Sequence, residues 1–582
     1  MVVEDLTFIY PGAVVPALNG VSLKVPPGSA LLLHGETGSG KSTLLGCLSG
    51  ACPAFSGGTI TGRVEIGGRS PQAMTPAERV RRIGVVYQDP EAQQVHSTVA
   101  REVAFTLENL GVPPREMEWR VAEALAMVGL SDRAEDAVAS LSGGLRQRVA
   151  LAAALVHQPA VLLLDEPASQ IDPVAAEELW DVLRRLRDDF SITLILSEHR
   201  IDRLYGWVDQ VAVMEAGRVA ATGSPREVAA WLCRTSPAQA PVLARLRSRP
   251  GAPDHPEEDM APALTVREVR QRIGPAAGTP PPGSDGPGGQ SGAPPNRLIA
   301  PATAPSVRSG PLARGPATPD ILVGLDRATV VYSGGVRALD ECTAALVRGR
   351  VTAIIGPNGA GKSTLLRALA GAVPLSGGRV TGARGHVGPV GPGEPGVPAG
   401  PGAVRIAFLP QNPNDLLSQE TVAEELGLAL RLQGVDRRRV EQAVAQAAEA
   451  FGITEWLGRH PRDLSGGERT RVALAALSAA APDLFLLDEP TRGLDPLQKQ
   501  SLGRWLRASG RTAAVATHDL DFVAEFADAI LFLDRGRVAL AGTPAEVFGQ
   551  ALWFAPVVAR ALRGAAPGVL CLADAVAAGW AR

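Results

Sequence analysis

A glycine-rich stretch near the N-terminus has the spacing of a phosphate-binding loop, G-x-x-x-x-G-K-S, and lies between an apolar run at 29–33 and a helix-like run. In that context, backbone N–H groups and the positive end of a helix dipole point at an anion. Lys41 would reach the β- and γ-phosphates of a nucleotide, and the Ser42 hydroxyl would ligate Mg²⁺. The loop comprises Gly35, Glu36, Thr37, Gly38, Ser39, Gly40, Lys41, Ser42 and Thr43.

The same loop occurs a second time, which argues against a chance glycine-rich turn. Lys41 and Lys362 are 321 positions apart, and three other landmark pairs have nearly the same separation: 323 for Gln88 and Gln411, 323 for Asp165 and Asp488, and 319 for His199 and His518. A near-constant offset indicates an internal duplication. The second loop comprises Gly356, Pro357, Asn358, Gly359, Ala360, Gly361, Lys362, Ser363 and Thr364.

Each copy also has an apolar, strand-like run that ends in two adjacent carboxylates. These are Asp165 and Glu166 in the first copy and Asp488 and Glu489 in the second. The aspartate would hold Mg²⁺, and the glutamate would orient and deprotonate an attacking water. Taken alone, such a pair is equally typical of a solvated strand end.

A Ser-Gly-Gly sequence precedes each carboxylate pair and opens a helix-like run. Its serine lies 23 positions before the aspartate in both copies. Exposed amides and a serine hydroxyl at a helix N-terminus can bind an anion, although the same residues are a common helix N-cap. One nucleotide per copy does not need two such devices. The residues are Ser142, Gly143 and Gly144, and Ser465, Gly466 and Gly467.

Phosphate loop, glutamine, Leu-Ser-Gly-Gly, Asp-Glu strand and histidine follow one another in this order twice, and this set resembles the ATP-binding cassette (ABC) ATPases. The resemblance implies two α/β domains of the P-loop ATPase type that form an internal pseudo-dimer over two ATP molecules with Mg²⁺. Each ATP would lie between the phosphate loop of one copy and the Ser-Gly-Gly of the other.

The resemblance also implies roles for the glutamine and the histidine of each copy. Gln88 and Gln411 match the glutamine that reaches Mg²⁺ and communicates with a partner. His199 and His518 match the histidine that contacts the γ-phosphate. We therefore expect these histidines to act in catalysis with Glu166 and Glu489.

The resemblance implies two further pairs of site residues. Asp172 and Asp495 match the aspartate that communicates across the interface, and Tyr10 and Tyr332 match the aromatic that stacks on adenine. The tyrosines are also consistent with core positions. Leu145 and Glu468 depart from the family, which most often has glutamine there. Both copies keep lysine, aspartate, glutamate and histidine, so we expect both sites to hydrolyse ATP.

Strand-like runs alternate with helix-like runs in both copies, which predicts a mainly parallel sheet covered by helices. A mostly helical pattern from 99 to 155 predicts an inserted helical subdomain. Residues 274–319 contain 12 prolines and 9 glycines, and this predicts a disordered linker; a disordered loop is expected at 383–403. The predicted division is 1–235, a linker at 236–319 with a short helix near 264–273, 320–550 and a tail at 551–582.

The bulk composition argues against several classes of function. The net charge of -3 and the 4% of aromatic residues argue against a nucleic-acid binder. The five cysteines show no paired spacing, so neither a zinc site nor a disulfide framework is predicted. Neither a signal peptide nor a membrane-spanning run is recognised, so we expect a peripheral protein on the cytoplasmic face of the membrane.

The segment 88–111 resembles the ATPases of energy-coupling factor (ECF) importers, through Gln-x-Pro-x-x-Gln, Thr-Val-x-x-Glu-Val-Ala-Phe and Glu-Asn-Leu-Gly. This implies a transmembrane coupling subunit and a small membrane protein that captures a vitamin or transition-metal ion. The alternatives are the ATPase of another ABC importer or exporter, and a soluble tandem ATPase that acts on ribosomes or nucleic acid.

Overall fold

The computed structural model describes residues 1–88, 93–169, 171–246, 262–273, 320–332, 334–382, 404–551, 554–566 and 568–581. The predicted disordered linker at 274–319 and the predicted loop at 383–403 both lie outside the described residues. The described residues confirm the predicted fold class, because two α/β domains follow each other along the chain.

Each copy is built on a six-stranded sheet. In the first copy the strand order is β5-β6-β7-β3-β8-β9, and every pairing is parallel except that of β8 with β9. The strands are β1 Val2–Ile9, β2 Leu18–Lys24, β3 Ala30–His34, β4 Thr59–Glu65, β5 Ile83–Val86, β6 Val161–Asp165, β7 Thr193–Ser197, β8 Gln210–Glu215 and β9 Arg218–Gly223. The helices are α1 Lys41–Ser49, α2 Ala51–Ala54, α3 Pro76–Val80, α4 Val99–Asn109, α5 Pro114–Met127, α6 Gly143–Leu155, α7 Pro173–Phe190 and α8 Pro225–Thr235.

Short apolar runs form the central strands because both faces of the sheet are covered, one by helices and the other by α1 with the strands β1, β2 and β4. All five residues of β3 are buried, and its last residue leads directly into the first phosphate loop. The strands β1, β2 and β4 form a separate antiparallel sheet. Sequence patterns missed β4, since most of its side chains are exposed and it carries no apolar run.

Between the two copies, α9 spans Val242–Arg245 and α10 spans Val266–Ile273, within the range where a short helix was predicted. The second copy repeats the first, with a sheet order β14-β15-β16-β12-β17-β18 and a three-stranded sheet β11-β10-β13. Its strands are β10 Ile321–Val331, β11 Arg337–Val347, β12 Val351–Ile355, β13 Gly377–Gly382, β14 Ile406–Leu409, β15 Leu484–Asp488, β16 Thr512–Ala516, β17 Ala529–Asp534 and β18 Arg537–Gly542. Its helices are α11 Lys362–Leu369, α12 Val422–Leu432, α13 Arg437–Ala450, α14 Gly466–Ala479, α15 Pro496–Ala508, α16 Leu520–Phe526 and α17 Pro544–Gln550.

The helical subdomain predicted at 99–155 consists of α4, α5 and α6, and α12, α13 and α14 form its counterpart. In the first copy, Val103, Leu107 and Leu125 are buried in one cluster with the sheet. Within the described ranges, no helix combines the length and the apolar composition needed to cross a membrane.

The end of the chain packs against the segment that follows the first copy. The last helices are α18, Val557–Ala561, and α19, Leu572–Ala577. Leu243, Val269, Val558 and Trp580 share one buried cluster, so residues from α9, α10 and the tail form a small core. The division of the chain at 235, 319 and 550 stays a prediction.

The packing of the second copy can be tested at the contact between α15 and α16. An added Cβ at Gly503 would lie 2.3 Å from the buried ring of Phe526. We expect Gly503→Ala to destabilise the second copy by about 1–3 kcal/mol, because the ring must shift in a packed core. Calorimetric unfolding would record this as a lower transition temperature.

The matched control is Gly549→Ala. This glycine also lies in a helix, α17, but an added Cβ has no heavy atom within 4 Å. Alanine should leave the transition unchanged or raise it, since alanine favours a helix over glycine. Equal transition temperatures for the two variants would contradict the packing described.

Candidate functional site

Both phosphate loops are held in shape by their own lysine. Lys41 Nζ donates to the carbonyl oxygens of Gly35 and Glu36, each at 2.8 Å. Lys362 Nζ makes the equivalent bonds to Gly356 and Pro357, at 2.9 and 3.0 Å. Burial lowers the pKa of both ammonium groups. The loops therefore present a positive charge next to the N-termini of α1 and α11.

Only glycine fits the first position of each loop, because the backbone there passes close to a neighbouring strand. Gly35 and Gly356 have left-handed φ angles of 146° and 147°. An added Cβ would lie 2.3 Å from the Met214 carbonyl oxygen in one copy and 2.1 Å from that of Leu533 in the other. Ser39 Oγ is buried in the first loop and has no hydrogen-bond partner among the described residues, which suits a phosphate oxygen as its partner.

The carboxylates of the first copy lie in a hydrogen-bonded network. Asp165 Oδ1 accepts from Ser197 Oγ at 2.5 Å, and Ser42 also donates to Asp165. Glu166 accepts from Gln88 Nε2 at 2.9 Å, and His199 Nε2 lies 2.9 Å from its other oxygen. Burial alone would raise the pKa of Glu166, but His199, Lys41 and Gln88 outweigh it and lower the pKa.

The second copy has the same carboxylates in a poorer network. Ala516 stands where the first copy has Ser197, and Asp488 Oδ2 has no hydrogen-bond partner in the part of the chain that the structure describes. His518 Nε2 lies 3.3 Å from Glu489 Oε1, outside hydrogen-bond alignment. Burial and the charge of Asp488 raise the pKa of Glu489 to about 7. Gln411 is exposed and does not bond to Glu489.

The oxygen donors at both loops fit a hard cation. Ser42 hydrogen-bonds to Asp165 and Ser363 to Asp488, so a hydroxyl and a carboxylate lie together beside each phosphate loop. Burial raises the pKa of both aspartates. The unpartnered Asp488 Oδ2 is the kind of atom that a cation would satisfy. One hydroxyl and one carboxylate suit Mg²⁺, which keeps water and phosphate oxygens as its other ligands.

The two tyrosines lie beside the loops and are not core residues. Tyr10 and Tyr332 are 38% and 36% exposed. Their hydroxyls lie 3.2 Å from Thr43 Oγ1 and 3.4 Å from Thr364 Oγ1, respectively. A half-exposed ring at the end of a phosphate loop can stack on a base. Stacking on adenine stays a prediction.

The Ser-Gly-Gly serines act as N-caps. Ser142 Oγ accepts from the Leu145 amide and Ser465 Oγ from the Glu468 amide, each at 3.4 Å. Glu468 in turn accepts from the Ser465 amide at 2.7 Å, which completes a capping box. Both serines are exposed, and none of their hydrogen bonds within the described ranges reaches the opposite loop. Their pairing with the opposite phosphate loop stays a prediction.

Asp172 joins the two copies directly. Its Oδ1 caps α7 by accepting from the amides of Val174 and Ala175 at 3.0 and 2.9 Å. Its Oδ2 accepts from the amide of Asn358, in the second phosphate loop, at 3.2 Å. Asp495 likewise caps α15, and its charge lies close enough to Lys41 to affect that pKa. Each predicted interface aspartate thus faces the phosphate loop of the other copy.

Three residues near the site were not singled out as site residues from the sequence. Ser197 holds Asp165, and comparison with Ala516 in the second copy could have found it. Arg200 follows His199, and its positive charge acts to lower the pKa of Glu489 and of His518 in the other copy. Gln239 Nε2 donates to Glu36 Oε1 at 2.9 Å, although it lies in the predicted linker, where no sequence signal marks it.

The sequence of the chain matches a known family. The profile of the family described as ABC transporter matches residues 18–169 and 339–492. A Streptomyces coelicolor protein described as an ABC transporter ATP-binding protein is 39% identical over 579 residues, 96% of each chain. A Bacillus anthracis protein of the same description is 32% identical over 579 residues, 98% of this chain and 97% of the other.

Solved structures give two further similarities. CbiO1 from Clostridium perfringens, part of the ABC transporter complex cbiONQ, is 30% identical and covers 40% of this chain and 95% of its own, with a TM-score of 0.36. The archaeal ribosome recycling factor aABCE1, in complex with the ribosomal stalk protein aP1, is 21% identical and covers 94% of this chain and 92% of its own, with a TM-score of 0.56. The second similarity shows the fold alone.

The contact between Asp172 and Asn358 can be tested without removing the helix cap. In Asp172→Asn the amide oxygen can still cap α7, but the amide nitrogen cannot accept from Asn358. We expect kcat/KM for ATP to fall about tenfold, because the half-buried amide of Asn358 loses its acceptor. Steady-state ATP hydrolysis checks this, with the unfolding temperature unchanged.

Asp436→Asn is the matched control, since Asp436 caps α13, in the helical subdomain of the second copy, by accepting from the Arg439 amide at 3.2 Å. It should leave kcat/KM unchanged. A wild-type kcat/KM for Asp172→Asn would show that the contact between the copies has no role in the reaction.

Proposed function

Because the chain belongs to the ABC transporter family of ATP-binding proteins, we propose that it is the ATPase of an ECF-type importer for a vitamin or a transition-metal ion. The chain is an ATPase with two ABC domains. The proposal adds its membrane partners, which are a transmembrane coupling subunit and a small substrate-capture protein. It also places the chain at the cytoplasmic face of the membrane.

The proposed reaction is an in-line attack of water on the γ-phosphate of ATP. Glu166 orients the water and accepts its proton, and His199 holds Glu166 from the other side at 2.9 Å. Lys41 and the amides of the first loop stabilise the charge on the phosphates. Mg²⁺, held by Ser42 and Asp165, would neutralise the phosphate oxygens further. Glu489, His518, Lys362, Ser363 and Asp488 would have the same roles in the second copy.

Closure of the two copies would supply the remaining groups. Asp172 already contacts the second phosphate loop, and we expect Ser465 and Ser142 to reach the γ-phosphates at the first and second loops when ATP is bound. Catalysis would then depend mainly on positioning and on preorganised charge. Because the two copies belong to one chain, each finds the other at a high effective concentration.

The segment after Gln88 is the observation that carries the ECF assignment. Besides the sequence resemblance, residues 95–102 form a braced surface: Glu102 Oε2 accepts from the amides of Val95 and His96, at 2.9 and 2.7 Å. Glu102 is buried, whereas Val95 is 63% exposed. A fixed loop with an exposed apolar side chain suits a helix of a membrane partner.

The second copy has the same brace at its corresponding loop. Glu425 Oε2 accepts from the amides of Ser418 and Gln419, at 2.7 and 2.8 Å. Two equivalent surfaces on one chain suit a membrane subunit that presents two helices. A soluble role on ribosomes is the alternative outcome of the test below, and the net charge of -3 does not favour it.

Separate substitution of the two glutamates tests whether both sites work. We expect Glu166→Gln and Glu489→Gln each to lower the ATPase rate by more than half, and the double variant to fall by about 10²–10⁴-fold, since the base for the attacking water is lost. Steady-state phosphate release measures this. Glu118→Gln, on the exposed surface of α5, is the control. A wild-type rate in either single variant would mean that one site is idle.

Affinity purification from detergent-solubilised membranes tests the partner class. We expect small integral membrane proteins to co-purify with the chain, and Val95→Asp to reduce their yield because a charge would face an apolar partner helix. Phe190→Asp is the control, since Phe190 is 59% exposed at the end of α7 and lies outside the proposed surface. Ribosomes in the eluate without membrane proteins would contradict the ECF assignment.

A further inference from the structure

We propose that Ser197 is a positioning residue for the cation of the first ATP site, and that this site therefore binds Mg²⁺ more tightly than the second, where Ala516 stands in its place. Ser197 would act through Asp165 and would not touch the cation itself. The inference rests on the proposed role of Asp165 and Asp488 as cation ligands and is independent of the importer class.

The register of the parallel sheet places Ser197 directly beside the cation ligand. Ser197 is the last residue of β7 and pairs with Asp165, the last residue of β6. The second copy has the same register, with Asp488 of β15 paired with Ala516 of β16. At this position the two sites therefore differ by one hydroxyl group on an equivalent backbone.

The Ser197 hydroxyl links the two carboxylate residues of the first copy. It donates to Asp165 Oδ1 at 2.5 Å and accepts from the Glu166 amide at 3.2 Å. Ser197 has no exposed surface, so bulk water does not compete for either bond. A hydroxyl has a single hydrogen, and its use at Oδ1 leaves Oδ2 of Asp165 for a cation. The Asp165 carboxylate is thus oriented before a cation arrives.

The second copy keeps this backbone and lacks the hydroxyl. The Glu489 amide donates to the Ala516 carbonyl oxygen at 2.8 Å, as the Glu166 amide does to that of Ser197 at 3.1 Å. Asp488 is 3% exposed, and its Oδ2 has no hydrogen-bond partner among the atoms of the described residues. Position 516 therefore offers no donor that could fix the orientation of the Asp488 carboxylate.

A hydroxyl has two opposing effects on a cation ligand, and orientation is the larger. A donor takes up part of the negative charge of the carboxylate, which weakens its attraction for a cation. The same donor holds the ligand in place, and loss of such an outer partner typically weakens metal binding by about 10–100-fold. Because Ser197 donates to one oxygen and leaves the other, we expect orientation to dominate.

The neighbouring position also differs between the copies, so comparison of the two sites alone does not isolate Ser197. Glu198 Oε1 accepts from the Ala168 amide at 2.8 Å. The second copy has Thr517 there, and its Oγ1 lies 2.9 Å from Thr491 Oγ1. Single substitutions at 197 and 516 are therefore needed, because they change the hydroxyl and leave position 198 or 517 as it is.

The test measures cation binding in the full chain with one phosphate loop disabled at a time. Lys362→Ala leaves the first loop intact, and Lys41→Ala leaves the second. With a saturating non-hydrolysable ATP analogue, electron paramagnetic resonance gives the dissociation constant of Mn²⁺, used in place of Mg²⁺ and corrected for Mn²⁺ bound to free analogue. We expect Mn²⁺ to bind about tenfold more tightly in Lys362→Ala than in Lys41→Ala.

Exchange of the two side chains isolates the hydroxyl. Ser197→Ala, added to Lys362→Ala, should weaken Mn²⁺ binding by about tenfold, and Ala516→Ser, added to Lys41→Ala, should strengthen it. Thr193→Val is the matched control, because it removes a buried hydroxyl from the opposite end of β7, where Thr193 Oγ1 accepts from the Gly28 amide at 3.0 Å. It should lower the unfolding temperature and leave the Mn²⁺ dissociation constant unchanged.

The proposal is overturned if Ser197→Ala leaves Mn²⁺ binding unchanged or tightens it, or if Ala516→Ser has no effect. Equal dissociation constants in Lys362→Ala and Lys41→Ala would also contradict it. If Ser197→Ala does not fold, Ala516→Ser decides alone, since it adds a hydroxyl to a site that lacks one. Failure of the proposed function looks different, because neither Lys362→Ala nor Lys41→Ala would then bind Mn²⁺ together with the ATP analogue.

Discussion

The hydrogen bond from the Asn358 amide to Asp172 Oδ2 joins the two copies at a phosphate loop, and the organisation of the site depends on it. Asp172 lies at the start of α7, directly after the strand and turn that carry Asp165 and Glu166. The position of the first copy's carboxylates is thereby tied to the loop of the second. While this bond is formed, the start of α7 and the second phosphate loop are held in contact at 3.2 Å.

Two loops with the same sequence motif have different surroundings. Gln88 and His199 hold Glu166, whereas Gln411 does not bond to Glu489 and His518 is poorly aligned with it. With Ala516 in the place of Ser197, an oxygen of Asp488 has no partner within the described ranges. Identical motifs therefore do not imply identical chemistry, because the pKa and the orientation of each carboxylate depend on neighbours outside the motif.

The sequence predicted the phosphate loops, the central strands and the helical subdomain, because these follow from glycine spacing and from apolar periodicity. It missed β4, because four of its seven residues are exposed and Val64 alone is buried, so no apolar run marks the strand. It also could not place Gln239 next to Glu36, since a contact across 203 positions depends on how α8 and its following turn fold back. The small core shared by α9, α10 and the tail was missed for the same reason. Each segment is too short for its sequence pattern to indicate what it packs against.

A structure of the chain with ATP, Mg²⁺ and both glutamates changed to glutamine would measure the central claim, that each ATP is bound by both copies. The account predicts Ser465 within hydrogen-bond distance of the γ-phosphate at Lys41, and Ser142 within that distance of the γ-phosphate at Lys362. Two bound ATP molecules with both serines still exposed to solvent would contradict it.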